Sequence, residues 1–125
     1  MGKKYLIDTN VVLDFMGDKM PYKAQQFISK VIDDLPRISV INKIELLGFT
    51  RVDKSLIDFV NCSLVYNLND EIVDQVILIR KQNKIKLPDA IIAATALIYD
   101  LEIITRNVKD FKGIKHIVVV DPFSL

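Results

Sequence analysis

One cysteine, one histidine and the absence of any uninterrupted apolar run of about 18 residues remove several function classes at once. Cys62 has no partner for an internal disulfide and is expected to be a small buried hydrophobe of an intracellular protein. His116, without a second His or Cys to complete a site, is read as structural or exposed. Neither a signal peptide nor a membrane anchor is visible, because Met1, Gly2, Lys3 and Lys4 lead into only a short apolar stretch before Asp8. A cytoplasmic setting with no membrane partner is the expectation. The four glycines, Gly2, Gly17, Gly48 and Gly113, stand too far apart to form a phosphate-binding loop. Charge of one sign is also lacking: the formal net charge is +1, so the molecule as a whole gives no strong pull on nucleic acid.

What is present is apolar and periodic. Half of the 125 residues are hydrophobic, enough for a real core in one domain spanning 1–125. Lys4 to Ile7 reads as a first buried strand, followed by a polar turn, Asp8 to Asn10, and a short helix from about Val11 to Met16. From Pro21, apolar residues recur at helical spacing through Leu35. Arg37 to Val40 is a brief β-branched strand, Asn42 to Val52 is expected to be helical, and Asp53 caps a further helix to about Asn61. Leu64 to Tyr66 is a candidate strand, and Asn69 opens a long helix to near Asn83. Pro88 starts a helix that is apolar nearly all round. Ile103 and Ile104 form a short strand, Thr105 to Phe111 a loop or single turn, and Ile117 to Val120 a last buried strand. Strands alternating with helices predict an α/β fold of three layers with a mostly parallel central sheet.

The acids fall at telling places. Asp8 stands where the first strand ends, and ligands of open α/β sheets bind at the carboxyl ends of strands; Asp8 or Asn10 could equally be a helix cap. Glu45 lies in the apolar series Ile41, Ile44, Leu46, Leu47 and Phe49, with Gly48 removing bulk one turn later, so its carboxylate is expected to face the interior. Asp89 follows Pro88 in the first turn of the apolar helix, where it also offsets the helix dipole. Three acids on apolar faces of one small core suggest one site. Thr105 and Asn107 can orient water or ligands, and Asp110 adds a carboxylate. Like charges packed together repel unless a divalent cation neutralises them, and all-oxygen donors suit Mg²⁺ or Mn²⁺. Arg80, Lys81, Lys84 and Lys86 form one basic cluster and Arg106, Lys109, Lys112 and Lys115 another, as solvated surface or as phosphate contacts.

The strand followed by Asp8-Thr9-Asn10, the helical Glu45, Pro88-Asp89-Ala90 with its Ala-rich helix, and Thr105-Arg106-Asn107 with Asp110-Phe111 resemble a PIN domain. Order and spacing are similar to the small VapC-type ribonuclease toxins of bacterial toxin–antitoxin pairs, over essentially the whole chain. The resemblance implies a Mg²⁺-dependent endoribonuclease, with Mn²⁺ as an alternative ion. Asp8, Glu45 and Asp89 are then the core acidic ligands, with Asp110 as fourth catalytic carboxylate and metal ligand. Thr9, Asn10, Thr105 and Asn107 take supporting roles, and Arg106 and Lys109 contact the RNA substrate. Family members often carry an acid where Asn107 stands here, which leaves one or two metal ions open. A cognate antitoxin and a homodimer are the implied partners. The competing reading keeps the fold without the reaction, as a non-catalytic RNA- or protein-binding module whose acids are caps and buried partners.

Overall fold

The structure, a computed structural model, describes residues 2–125. In chain order the elements are β1 (Tyr5–Ile7), α1 (Thr9–Met16), α2 (Tyr22–Asp34), β2 (Arg37–Ser39), α3 (Val40–Leu47), α4 (Lys54–Cys62), β3 (Leu64–Tyr66), α5 (Asp70–Gln82), α6 (Leu87–Tyr99), β4 (Glu102–Ile104) and β5 (Val119–Val120). Single 3-10 turns cover Val108–Phe111 and Pro122–Ser124. All ladders are parallel. β1, β4 and β5 form one sheet in the order β1-β4-β5, and β2 pairs with β3 in another. β1 and β2 run side by side, so the two short sheets continue one another across a seam.

Side-chain alternation along the strands builds the three layers. Leu6 and Ile103 point into a core with α5 and α6, whereas Ile7 and Ile104, one residue on, point into a second core with α1, α2, α3 and α4. Tyr66 and Val65 of β3, and Val119 and Val120 of β5, divide between the same two cores. With both faces covered the strand centres are apolar, Leu6, Ile38, Val65 and Ile103, although β2 also carries Arg37 and Ser39 and β4 carries Glu102. Ala90, Ala93, Ala94 and Ala96 keep α6 slim enough to lie between the sheet and α5. No helix of the described residues is long and apolar enough to cross a membrane.

Boundaries and burial depart from expectation in five places. α1 begins at Thr9, directly behind Asp8, since Asp8 is itself its N-cap. α3 stops at Leu47 instead of reaching Val52, because its C-cap, Gly48, is followed by exposed non-helical chain. Glu45 consequently does not face the interior: the buried face of the shortened helix is carried by Asn42 and Leu46, and Glu45 is exposed. Cys62 is exposed at the last turn of α4, whose buried side is taken by Leu56, Phe59 and Val60. The last strand contracts to Val119–Val120 and is only half-buried, with Val118 exposed, because β5 is an edge strand paired on β4 alone.

Gly48 owes its place to backbone crowding. A Cβ there would lie 2.6 Å from the carbonyl oxygen of Ile44. Gly48→Ala should therefore lower stability by about 1–3 kcal/mol through displacement of the α3 end, measured as the shift in the urea unfolding midpoint at unchanged slope.

Candidate active site

The site is set by strand register. Parallel pairing places Ile7 opposite Ile104. One residue further, Asp8 N donates to Ile104 O at 2.9 Å and Thr105 N donates to Val120 O at 3.1 Å, so the ladder carries Asp8 and Thr105 out of the sheet side by side. Thr105 Oγ1 then donates to Asp8 Oδ2 at 2.8 Å. Asp8 is buried, and its carboxylate accepts three more hydrogen bonds: from Thr9 N at 2.9 Å and Asn42 Nδ2 at 3.2 Å on Oδ1, and from Asn10 Nδ2 at 3.4 Å on Oδ2. Four donors on two oxygens use the acceptor capacity of the carboxylate almost fully. The cap and the site are the same residue.

Glu45 is drawn to Asp8 through Thr9, whose hydroxyl donates to Glu45 Oε1 at 2.6 Å. Asn42 organises both acids. Fully buried, it donates from Nδ2 to Asp8 and, at 3.1 Å, to Thr9 Oγ1, while its Oδ1 accepts from Ser39 N at 2.9 Å. Ser39 Oγ accepts from Ile41 N at 3.1 Å, and with the backbone and side chain of Asn42 it forms a capping box at the start of α3. Asn42 was not among the residues singled out from the sequence. Its available signal was the spacing Ser39-x-x-Asn42, a capping box with Asn in place of the usual Glu or Gln.

Asp89 sits half-buried in the first turn of α6. Burial raises its carboxyl above the ordinary aspartate value, the charges of Asp110, Asp8 and Glu45 raise it further, and only Lys86 opposes them. Asp89 thus feels all three of the other predicted acids, and Asp110, exposed in the 3-10 turn, is the strongest of these charges. Asn107 precedes that turn. Its backbone N–H donates to Thr105 Oγ1 at 3.1 Å, without a side-chain cap bond. Asn10 closes the other side, donating to Thr105 Oγ1 at 3.2 Å and accepting from Arg106 N at 3.1 Å. The Arg106 guanidinium points at Asp14 and Lys109 is exposed. His116 is exposed, with a left-handed backbone at φ 69°.

The donor set is all oxygen, and its charges are mutually repulsive at Asp89, which a hard divalent cation would relieve. Among the described residues, no three His, Cys, Asp or Glu are gathered closely enough to hold an ion as they stand. Asp8 and Glu45 lean instead on Thr105, Asn42 and Thr9.

A family model described as the PIN domain matches residues 5–117. The chain belongs to the PIN domain family. Among solved structures, this PIN domain is 31% identical to a chain of a toxin–antitoxin complex from Klebsiella pneumoniae, over 96% of this chain and 98% of that one, with a TM-score of 0.72. It is 25% identical to a chain of VapBC-1 from nontypeable Haemophilus influenzae, over 94% and 97% of the two chains, with a TM-score of 0.71. The fold is shared with VapBC2 from Rickettsia felis, solved with a DNA fragment from its promoter, at 20% identity over 93% and 96% and a TM-score of 0.76. No curated protein sequence matches the chain significantly.

Two outcomes follow from this geometry. Asn42→Ala leaves Ser39 N and one face of Asp8 without partners in a buried place, and should cost about 1–3 kcal/mol in chemical denaturation. Asp89→Asn should act in the opposite direction. Because the native carboxyl titrates above the unfolded value of about 3.9, the folded protein retains its proton over a window in which the unfolded chain has released it. Stability is therefore lost as pH rises through that window, and above it the ionised Asp89 is a constant burden. The Asn variant should melt higher than the parent at pH 7 without divalent ions, and the difference should vanish below the ordinary aspartate range. A lower melting temperature at pH 7 would show that Asp89 serves the helix dipole alone.

Proposed function

We propose that the chain is an endoribonuclease that hydrolyses RNA phosphodiester bonds with the help of Mg²⁺ or Mn²⁺, and that it is the toxin of a toxin–antitoxin pair. The observation that carries this reading is the side-chain network beyond the carboxyl ends of β1 and β4, where Thr105, Asn42 and Thr9 hold Asp8 and Glu45, and the raised carboxyl of Asp89, which feels both of these acids and Asp110, agrees with it. Membership of the PIN family and the 31% identity to a chain of a toxin–antitoxin complex support it.

Asp8, Glu45, Asp89 and Asp110 would hold one or two ions, which when bound supply charge stabilisation at the scissile phosphate and a more acidic water. The chain's own contribution is positioning. Thr105 and Asn42 fix the two oxygens of Asp8, and Thr9 fixes Glu45. Lys86 and Lys109, both exposed beside the acids in the chain, are suited to RNA phosphates. No histidine is needed for proton transfer in this scheme.

For partners, exposed Ile44, Phe49 and Ile57 around the Glu45 end of α3 and α4 suit an apolar antitoxin segment. A separate apolar cleft of about 510 Å³, lined by Leu68, Val73, Ile77, Leu87 and Ile91, suits a second copy of the chain. The decisive experiment is cleavage of total RNA with mapped ends. Asp8→Asn should reduce cleavage by roughly two orders of magnitude or more while remaining folded by circular dichroism, and chelation should abolish parental activity until Mg²⁺ is restored. A folded Asp8→Asn protein with full activity would overturn the assignment.

A further inference from the structure

Arg106 is expected from its sequence neighbourhood to contact RNA, yet its side chain is already engaged at one edge and one face. Nη1 lies 3.0 Å from Asp14 Oδ2, and Cζ stands 4.0 Å from the centroid of the Phe123 ring. Asp14 is the more sheltered partner, its side chain 17% exposed against 46% for Arg106. Phe123 is held in turn by the 3-10 turn Pro122–Ser124, where Asp121 Oδ1 accepts from Phe123 N at 2.9 Å, and that turn packs against α2. The backbone of Arg106 belongs to the site itself: its N–H donates to Asn10 Oδ1, and the neighbouring residues Thr105 and Asn107 meet through Thr105 Oγ1, the donor to Asp8.

We infer that Arg106 is a positioning residue, a clasp that holds the Thr105–Asn107 loop against α1 through Asp14 and against the chain's end through Phe123, and that it is not a phosphate ligand. Charge supports the assignment. A guanidinium paired with a half-buried carboxylate has little net field left for a polyanion, and leaving Asp14 to bind phosphate would strand that half-buried carboxylate without a partner. Geometry points the same way. The ring of Phe123 covers one face of the guanidinium plane and Asp14 occupies one edge, so the planar fork that recognises phosphates bidentately is partly filled from within. The clasp spans three distant parts of the chain, and its effect on chemistry runs through the placement of Thr105 on Asp8.

The inference rests on the ribonuclease reading, and one pair of variants separates the two roles by sign. For a clasp, Asp14→Asn and Arg106→Gln both lower kcat, by roughly ten- to a hundredfold, with KM changed less than threefold. The slope of log(kcat/KM) against log salt stays at its parental value. For a phosphate ligand, Asp14→Asn frees Arg106 and tightens RNA binding, whereas Arg106→Gln raises KM and reduces the salt slope by about one charge; that result overturns the inference. Phe123→Leu, which keeps an apolar side chain under the guanidinium, guards against loss of folding and should give a milder fall in kcat. If the parent cleaves no RNA, the ribonuclease reading fails by itself. Amide exchange still decides the clasp: Asp14→Asn should speed exchange at the bonded N–H groups of Arg106 and Asn107, and unchanged exchange there overturns it.

Discussion

The hydrogen bond from Thr105 to Asp8 is the interaction on which the rest of the site depends. It exists because β1 and β4 pair in parallel with Ile7 opposite Ile104, so that the first residue beyond each strand emerges next to its counterpart. Apolar burial on both faces of the sheet fixes that register, since a one-residue slip would exchange the two cores of Leu6 and Ile7. Specificity of the core thus becomes precision at a carboxylate. The same carboxylate starts α1, so capping, register and site chemistry are settled by one residue.

Helix termini make the cluster of acids tolerable. Asp8 caps α1 and Asp89 lies in the first turn of α6, whereas Glu45, in the last turn of α3, is held by the Thr9 hydroxyl instead. α3 touches both α1 and α6, which brings these helix starts into one neighbourhood. Partial positive charge at each start favours a nearby anion. That contribution does not suffice at Asp89, where burial and three neighbouring acids still hold the carboxyl above its usual value. The residual repulsion is the physical reason to expect a cation.

Much of this was legible in the sequence. Short apolar stretches locate every strand to within a residue or two, and Leu64–Tyr66 falls where expected. Asp8, Glu45 and Asp89 stand out for a similar reason, since acids are conspicuous beside apolar runs, whereas Asp110, in a polar loop, is singled out by the resemblance to PIN domains. Side-chain direction was less legible. Glu45 is expected on an interior face only if its helix continues through Gly48, Phe49 and Val52, and the helix ends at Leu47. Asn42 escaped notice because a polar residue in a helical stretch looks like surface until the cap and the strand ends are placed around it. Asp14 and Arg106, 92 positions apart, become partners only through the register of strands that neither occupies.

The seam between the two short sheets has a consequence of its own. Asp8 and Thr105 extend the β1-β4-β5 sheet, whereas Asn42 and Glu45 ride on the helix that leaves β2 in the other sheet. The bonds from Asn42 to Asp8 and from Thr9 to Glu45 are therefore rivets across a joint. A ligand that bridged Asp8 and Glu45 would add one more rivet at the same place, and its binding free energy would appear directly as resistance of the whole domain to unfolding. The proposed catalytic centre would then also be the fastener that closes the architecture.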